Sequence, residues 1–317
     1  MKLKEIYRLA IEQGIKHDPR GQEKVKELLQ KIKEKFEELK EEEKADFDLE
    51  QLENPYSDTR ILCGDEELEV KRILAGIDIE VGEILLADRL GGFDLVLAHH
   101  PEGKALAALA EVMHLQEDLL EKYGVPINVA EGILSARITE VKRSLLPLNH
   151  EKVVDAARLL NLALMCVHTP ADNMVSSFLD NLFTEEKPRT VGDLVKILKK
   201  IPECAHAVQL NNGPEVISGN KERRCGKIFV DMTGGASGSE DAYERLSQAG
   251  VGTIVCMHMS EKHRKEAEKA HLNVVIAGHM ASDSLGMNLF LDLLEERGIQ
   301  IETCSGLYRV KRNSRKA

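Results

Sequence analysis

The sequence predicts a layered α/β protein in which one strand-and-helix arrangement occurs twice. Short apolar runs bounded by turn residues alternate with stretches of helical periodicity, which is the pattern of strands packed under helices. Two of those runs also end alike: Leu164-Met165-Cys166-Val167 is followed by His168 and Asp172, and Val274-Val275-Ile276-Ala277 by His279 and Asp283. The repeated His-x-x-x-Asp spacing points to an internal duplication.

Taken in order, residues 2–45 read as helix, with Val25, Leu28, Leu29, Ile32, Phe36 and Leu39 at helical spacing and a Lys/Glu-rich solvated face. The turn cluster Asn54-Pro55-Tyr56-Ser57-Asp58 then separates a helical N-terminal extension, 1–52, from a domain spanning 53–317. Strands are expected at 60–63, 72–77, 95–98, 164–167, 227–230, 253–256 and 274–277. They fall into halves of about 54–185 and 215–310. In each half a strand ends in histidine (His99, then His258), and a later one ends in His-x-x-x-Asp. The wider spacing in the first half implies an insertion at about 105–149, mostly helical and broken at Gly124-Val125-Pro126. Residues 186–214 read as a helical connection closed by the turn Asn211-Asn212-Gly213-Pro214.

Composition excludes several classes of function. A formal net charge of −11 leaves no electrostatic footprint for nucleic acid, and the basic stretch Arg309, Lys311, Arg312, Arg315, Lys316 reads as a solvated terminus. Six scattered cysteines without Cys-x-x-Cys suggest reduced core residues rather than a zinc ribbon or disulfide framework. The N-terminal residues lack an apolar signal region and no run is long enough to span a membrane, so a cytoplasmic protein with no membrane partner is expected.

The histidines collect at strand ends, where imidazole and carboxylate together suit a divalent ion with open coordination positions. Adjacent His99 and His100 can face one site only past the end of a strand, where Pro101 stops regular pairing. Alternatively one caps the strand and the other is exposed. Asp172 is a candidate bridge between two ions about 3.5–4 Å apart, an arrangement that lowers the pKa of a shared water towards neutrality. Thr169-Pro170-Ala171-Asp172 also reads as a helix start with threonine as N-cap, and Ser282-Asp283 as a cap for the last helix. His258 and His263 either line the pocket as acid, base or substrate contacts or form a polar loop. The glycine-rich turn at 233–239, before a helix from about Glu240, is either a phosphate nest or a tight turn that lets the helix pack. It matches neither the P-loop nor the dinucleotide fingerprint.

With these residues assembled, the chain resembles the Nif-three-like family, whose bacterial members are often labelled GTP cyclohydrolase 1 type 2 homologues. Asp94 to Pro101 is similar to the family's strand and His-His-Pro turn, His168 to Asp172 to its His-Thr-x-x-Asp, and Gly278 to Asp283 to its Gly-His-x-x-Ser-Glu, with Asp283 in place of the usual Glu. The resemblance implies two intertwined α/β halves related by duplication, a dinuclear site facing a cavity, and a homo-oligomer, often a toroidal hexamer. Carried over position by position, the ligands of two divalent ions (Zn, Fe, Mn or Ni) are His99, His100, Asp172, His279 and Asp283, with His168 close by. The helical extension and the insertion after Pro101 are additional to the family pattern, and no GTP-recognition motif is visible. The expected function is a metal-dependent hydrolase of a small phosphorylated or heterocyclic substrate, in which His168 and His258 transfer protons. The alternative is a metal-binding adaptor or metal-trafficking protein that works through partners.

Overall fold

The structure is a computed structural model and describes residues 1–312. Among these residues the strands are β1 (Arg60–Cys63), β2 (Arg72–Gly76), β3 (Leu95–Ala98), β4 (Ala163–Cys166), β5 (Glu215–Ser218), β6 (Lys227–Asp231), β7 (Val251–Cys256), β8 (Asn273–Ile276) and β9 (Gln300–Cys304). They form two sheets, ordered β1-β4-β3-β2-β9 and β5-β8-β7-β6. In each, the inner strands are parallel and one edge strand, β1 or β5, runs antiparallel to its neighbour. Both antiparallel edges carry an irregularity at the same place, between Ile61 and Cys63 and between Val216 and Ser218. A shared bulge on top of a shared strand order is what a duplicated unit leaves behind.

β3 and β4 are buried at every position, which is why they read as unbroken apolar runs. β5 and β9 are edge strands with exposed residues interleaved, so neither shows the apolar run that marks the others, and neither is predicted by the sequence.

Each half completes the other's core. The helix Leu3–Lys16 buries Leu3, Ile6 and Ala10 against Ile73, Leu95 and Met165 of the first sheet, and the same cluster takes in Phe290, Leu291 and Leu294 from the helix His279–Glu295. Strand β9 pairs in parallel with β2, so the end of the second half closes the first sheet. In return, the helices Leu115–Tyr123 and Ile127–Leu145 lay Leu119, Leu120 and Leu134 on Phe229 and Ile254 of the second sheet. The break between these two helices falls at Gly124, left-handed at φ +107°, and at Pro126, as the sequence predicts. By contrast, Gln22–Glu38 buries only Val25.

Between the sheets, the helices Thr169–Glu186 and His279–Glu295 cross closely. A Cβ at Gly286 would lie 2.6 Å from the Ala171 carbonyl oxygen, so only glycine lets the two backbones meet there.

The basic terminus differs from its sequence reading. Arg309 reaches Asp292 (2.6 Å) and Glu295 (2.7 Å), and Arg312 grips both oxygens of the buried Glu203 (2.7 and 2.6 Å). Buried carboxylates need such partners, and they draw the tail onto the surface. Arg315 and Lys316 lie outside the described residues. Among the described residues no helix is long and apolar enough to cross a membrane.

Candidate metal centre

The carboxyl ends of the parallel strands face a common space, the usual location of ligand sites in open α/β sheets. β3 delivers His99 and His100, β4 delivers His168, and β8 delivers His279 at the start of its helix. The His99 amide still bonds the Gly76 carbonyl (2.9 Å) and the His100 amide that of Ile77 (3.0 Å). Both imidazoles turn the same way beyond the last regular pair, with ring centroids 5.2 Å apart. Neither reads as a mere cap.

Each first-half imidazole is tied at Nδ1. His99 Nδ1 lies 3.0 Å from the Val167 carbonyl oxygen, His100 Nδ1 2.6 Å from Asp78, and His168 Nδ1 2.8 Å from Asp58. A carbonyl or carboxylate there accepts a hydrogen bond from Nδ1–H, which in the neutral ring leaves the Nε2 lone pair free to bind a cation. Asp58 is itself held by Thr169 Oγ1 at 2.6 Å. Thr169 therefore does not cap its helix; His168 occupies the N-cap position and Asp172 lies in the first turn. The last helix starts at His279, so Ser282 and Asp283 lie inside it, and Ser282 Oγ bonds back to the Gly278 carbonyl.

The carboxylates converge on the freed Nε2 atoms. His99 Nε2 is 3.5 Å from both Asp172 Oδ1 and Asp283 Oδ1, while Asp283 Oδ2 lies 3.5 Å from His100 Nε2 and 3.4 Å from His279 Nε2. Asp172 Oδ2 is 3.8 Å from His168 Nε2. Four of these atoms (His99 Nε2, Asp172 Oδ1 and both Asp283 oxygens) are buried and have no hydrogen-bond partner among the described residues. Unpaired buried polar atoms are costly, and so many at one point call for a ligand they share. Three sets have donor atoms close enough to hold an ion: His99, Asp172 and Asp283; His100, His279 and Asp283; and His99, His100 and His168.

The electrostatics fit a cation. Burial, reinforced by the charges of Asp283 and Asp58, pushes the Asp172 carboxyl up to about 8. Burial opposes the His168 imidazolium, but Asp172 and Asp58 outweigh it and raise that group to about 9. Burial also works against the Asp283 carboxylate, yet His99 and His100 hold it well below the usual carboxylate range. Burial lowers His99, His258 and His279, which favours their neutral, ligand-competent form.

The two His-x-x-x-Asp motifs are not equivalent positions of the repeat. Register pairs Ala98 with Cys166 in the first sheet and Cys256 with Ile276 in the second, so His100 corresponds to His258, and His168 to Gly278. The second motif is displaced by one residue. This overturns the expected match of His99 with His258. His258 lies with its ring 4.9 Å from that of His279, and both line a cavity of about 70 Å³ with His168 and Asp172. His263 does not join them: its Nε2 bonds the Gly238 carbonyl (3.0 Å) and its Nδ1 meets Ser260 Oγ (2.7 Å).

The structure thus brings all seven singled-out residues into one neighbourhood and adds two that were passed over, Asp58 and Asp78. Asp78 lies two residues past the end of β2, as His100 and His168 do past β3 and β4, and that position is its signal in the sequence. Asp58 was hidden in a segment with all the marks of an ordinary turn.

Fold and site define a two-halved α/β protein with a buried His/Asp cluster able to bind metal. No family model matches the chain, and no curated protein matches it. Solved structures do. A NIF3 superfamily protein from Sphaerobacter thermophilus is 28% identical with a TM-score of 0.74, covering 81% of this chain and 94% of that one. Reduced HcgD from Methanocaldococcus jannaschii shares the fold at 17% identity and a TM-score of 0.51, covering 77% and 87%. These likenesses support a Nif-three-like (NIF3) family assignment for the chain.

Proposed function

We propose that this protein is a metal-dependent hydrolase acting on a small phosphorylated or heterocyclic substrate. The observation that carries the reading is the convergence of four unpartnered buried donor atoms beside the cavity. Two of the three ligand sets, His99/Asp172/Asp283 and His100/His279/Asp283, share only Asp283 and together make up the five ligands expected for two ions. On these sets Asp283, rather than Asp172, would be the carboxylate placed to hold both ions. Divalent cations bound there supply Lewis acidity and a water of near-neutral pKa.

The chain's own residues do the rest. Val167, Asp78 and Asp58 fix the three first-half imidazoles before any substrate arrives. His258 makes no hydrogen bond among the described residues and is neutral at pH 7 because burial lowers its pKa, so it can take a proton. His168, hydrogen-bonded to Asp58 at 2.8 Å and with its Nε2 3.8 Å from Asp172, is the second proton-transfer group.

The test is to assay metal-loaded protein against nucleotides, phosphoesters and cyclic amides, with elemental analysis alongside. About two equivalents of Zn, Fe, Mn or Ni per chain are expected, since this nitrogen and oxygen set accepts any of them. Asp172→Ala and His279→Ala should abolish turnover; activity unchanged by either overturns the mechanism. A second reading, a non-catalytic adaptor or metal carrier within a homo-oligomer, is favoured by the charged helix Gln22–Glu38, which leaves most of its surface exposed. It expects partners in pull-downs that vanish when residues 1–52 are blocked by an antibody, together with no turnover on any substrate.

A further inference from the structure

The metal reading leaves one motif unused, the glycine-rich loop at 233–239 between β6 and the helix Ala242–Gln248. Gly235, Ala236 and Ser237 line the same cavity as His168, Asp172, His258 and His279. Gly234 and Gly235 have φ of +105° and +79°, and a Cβ on them would fall 2.7 Å from Gln116 Cγ and 2.8 Å from Val112 Cγ2. Both conformation and space demand glycine.

The loop's carbonyls are engaged. Gln116 Nε2 donates to the carbonyls of Gly234 and Ala236, 2.7 Å each, Arg137 Nε to that of Ser237 (3.0 Å), and His263 Nε2 to that of Gly238 (3.0 Å). In a trans peptide the C=O of one residue and the N–H of the next point in opposite directions, and no cis bond occurs among the described residues. The N–H groups of Gly235, Ser237, Gly238 and Ser239 are thereby turned away from the side chains that hold the carbonyls. Among the described residues none of the four donates to a backbone acceptor. Successive free amides on a glycine loop form an anion cradle.

Asp172, whose Oδ1 is buried and has no hydrogen-bond partner among the described residues, lines the same cavity. Carboxylates alone would repel an anion, so cradle and metal centre have to act together. Nor is the arrangement mirrored in the other half. Register matches Gly76 with Asp231, which sets Asp78, bound to His100, where the second half begins its glycine loop at Thr233.

We propose that the 233–239 loop binds the phosphate group of the substrate through the amides of Gly235 and Ser237, with Gln116 and Arg137 of the insertion as positioning residues. The proposal rests on the metal-dependent hydrolase reading and narrows its substrate to a phosphorylated one.

Calorimetric titration of the Zn-loaded full chain with inorganic phosphate tests it. Saturable binding is expected, lost on chelation with EDTA. Gln116→Ala and Ser237→Pro should each weaken it by about tenfold or more while zinc content and melting temperature hold. No binding to the loaded wild type, affinity within about twofold of wild type in both variants, or loss of zinc or folding in both overturns the proposal. Loop-dependent phosphate binding without hydrolysis of any phosphoester would sink the hydrolase reading and leave the cradle standing. Hydrolysis with an unaltered KM in the loop variants would do the reverse.

Discussion

The two halves share a strand order and an edge bulge, yet their strand ends do different work. In the first half three imidazoles are wired at Nδ1 to fixed acceptors; in the second, His258 and His279 make no hydrogen bond among the described residues. One wall of the site is held in position and the other is freer to answer to what enters. The one-residue offset of the second motif matters for the same reason. One residue turns a side chain by about 100° around a helix. Two strictly equivalent motifs would repeat the same orientation in each half, whereas the displaced pair brings Asp172 and Asp283 both to 3.5 Å from His99 Nε2.

The largest expected effect tests which carboxylate is shared. Asp283→Ala should weaken metal binding by more than about a hundredfold, read as metal content after dialysis, and by more than Asp172→Ala does. The reverse order would move the shared ligand back to Asp172. Next comes the contrast between the walls. Asp58→Ala and Asp78→Ala should each cost about 10–100-fold in metal affinity, while His258→Ala leaves affinity alone and lowers kcat by about a hundredfold. Equal losses of metal in all three would abolish the distinction between a wired and an unwired half.

Smaller effects concern stability. Gly286→Ala should cost about 1–3 kcal/mol in denaturant unfolding, because its methyl meets the Ala171 carbonyl on the helix carrying Asp172. A neutral result would mean the helices can separate without loss. The smallest effect compares Asp231 with its first-half counterpart Gly76. Burial pushes the Asp231 carboxyl up to about 6 from an ordinary 3.8. The folded state therefore holds a proton that the unfolded state has released across that interval, and stability falls as pH rises from about 4 to about 6. Asp231→Asn should flatten that slope in pH-dependent thermal unfolding. An unchanged slope would remove Asp231 from the comparison.

The inner strands and the residues of the cluster were legible because burial on both faces writes an apolar run, and a histidine just beyond such a run stands out. Edge strands β5 and β9 were not, since half-exposed strands carry a mixed sequence. Nor could spacing reveal the offset between the motifs, because the same His-x-x-x-Asp reads identically whether its histidine is an N-cap, as His168, or the first helical residue, as His279. Asp58 acts across about a hundred residues on His168, a distance no local pattern spans. The tail's contacts were not legible because its partners are buried carboxylates on two helices, Glu203 more than a hundred residues away and Asp292 with no local pattern linking it to the arginines.

The pairing of β9 with β2 also has a temporal side. At a synthesis rate of roughly 5–20 residues per second, β2 leaves the ribosome on the order of ten to forty seconds before Gln300–Cys304 can join it. During that interval the growing chain exposes an unpaired strand edge, and the cluster lacks His279 and Asp283. A nascent first half can neither seal its sheet nor retain a metal ion on the full ligand set. Closure of the sheet and completion of the ligand set both wait for residues 279–304, which would tie loading of a metal to the joining of the two halves.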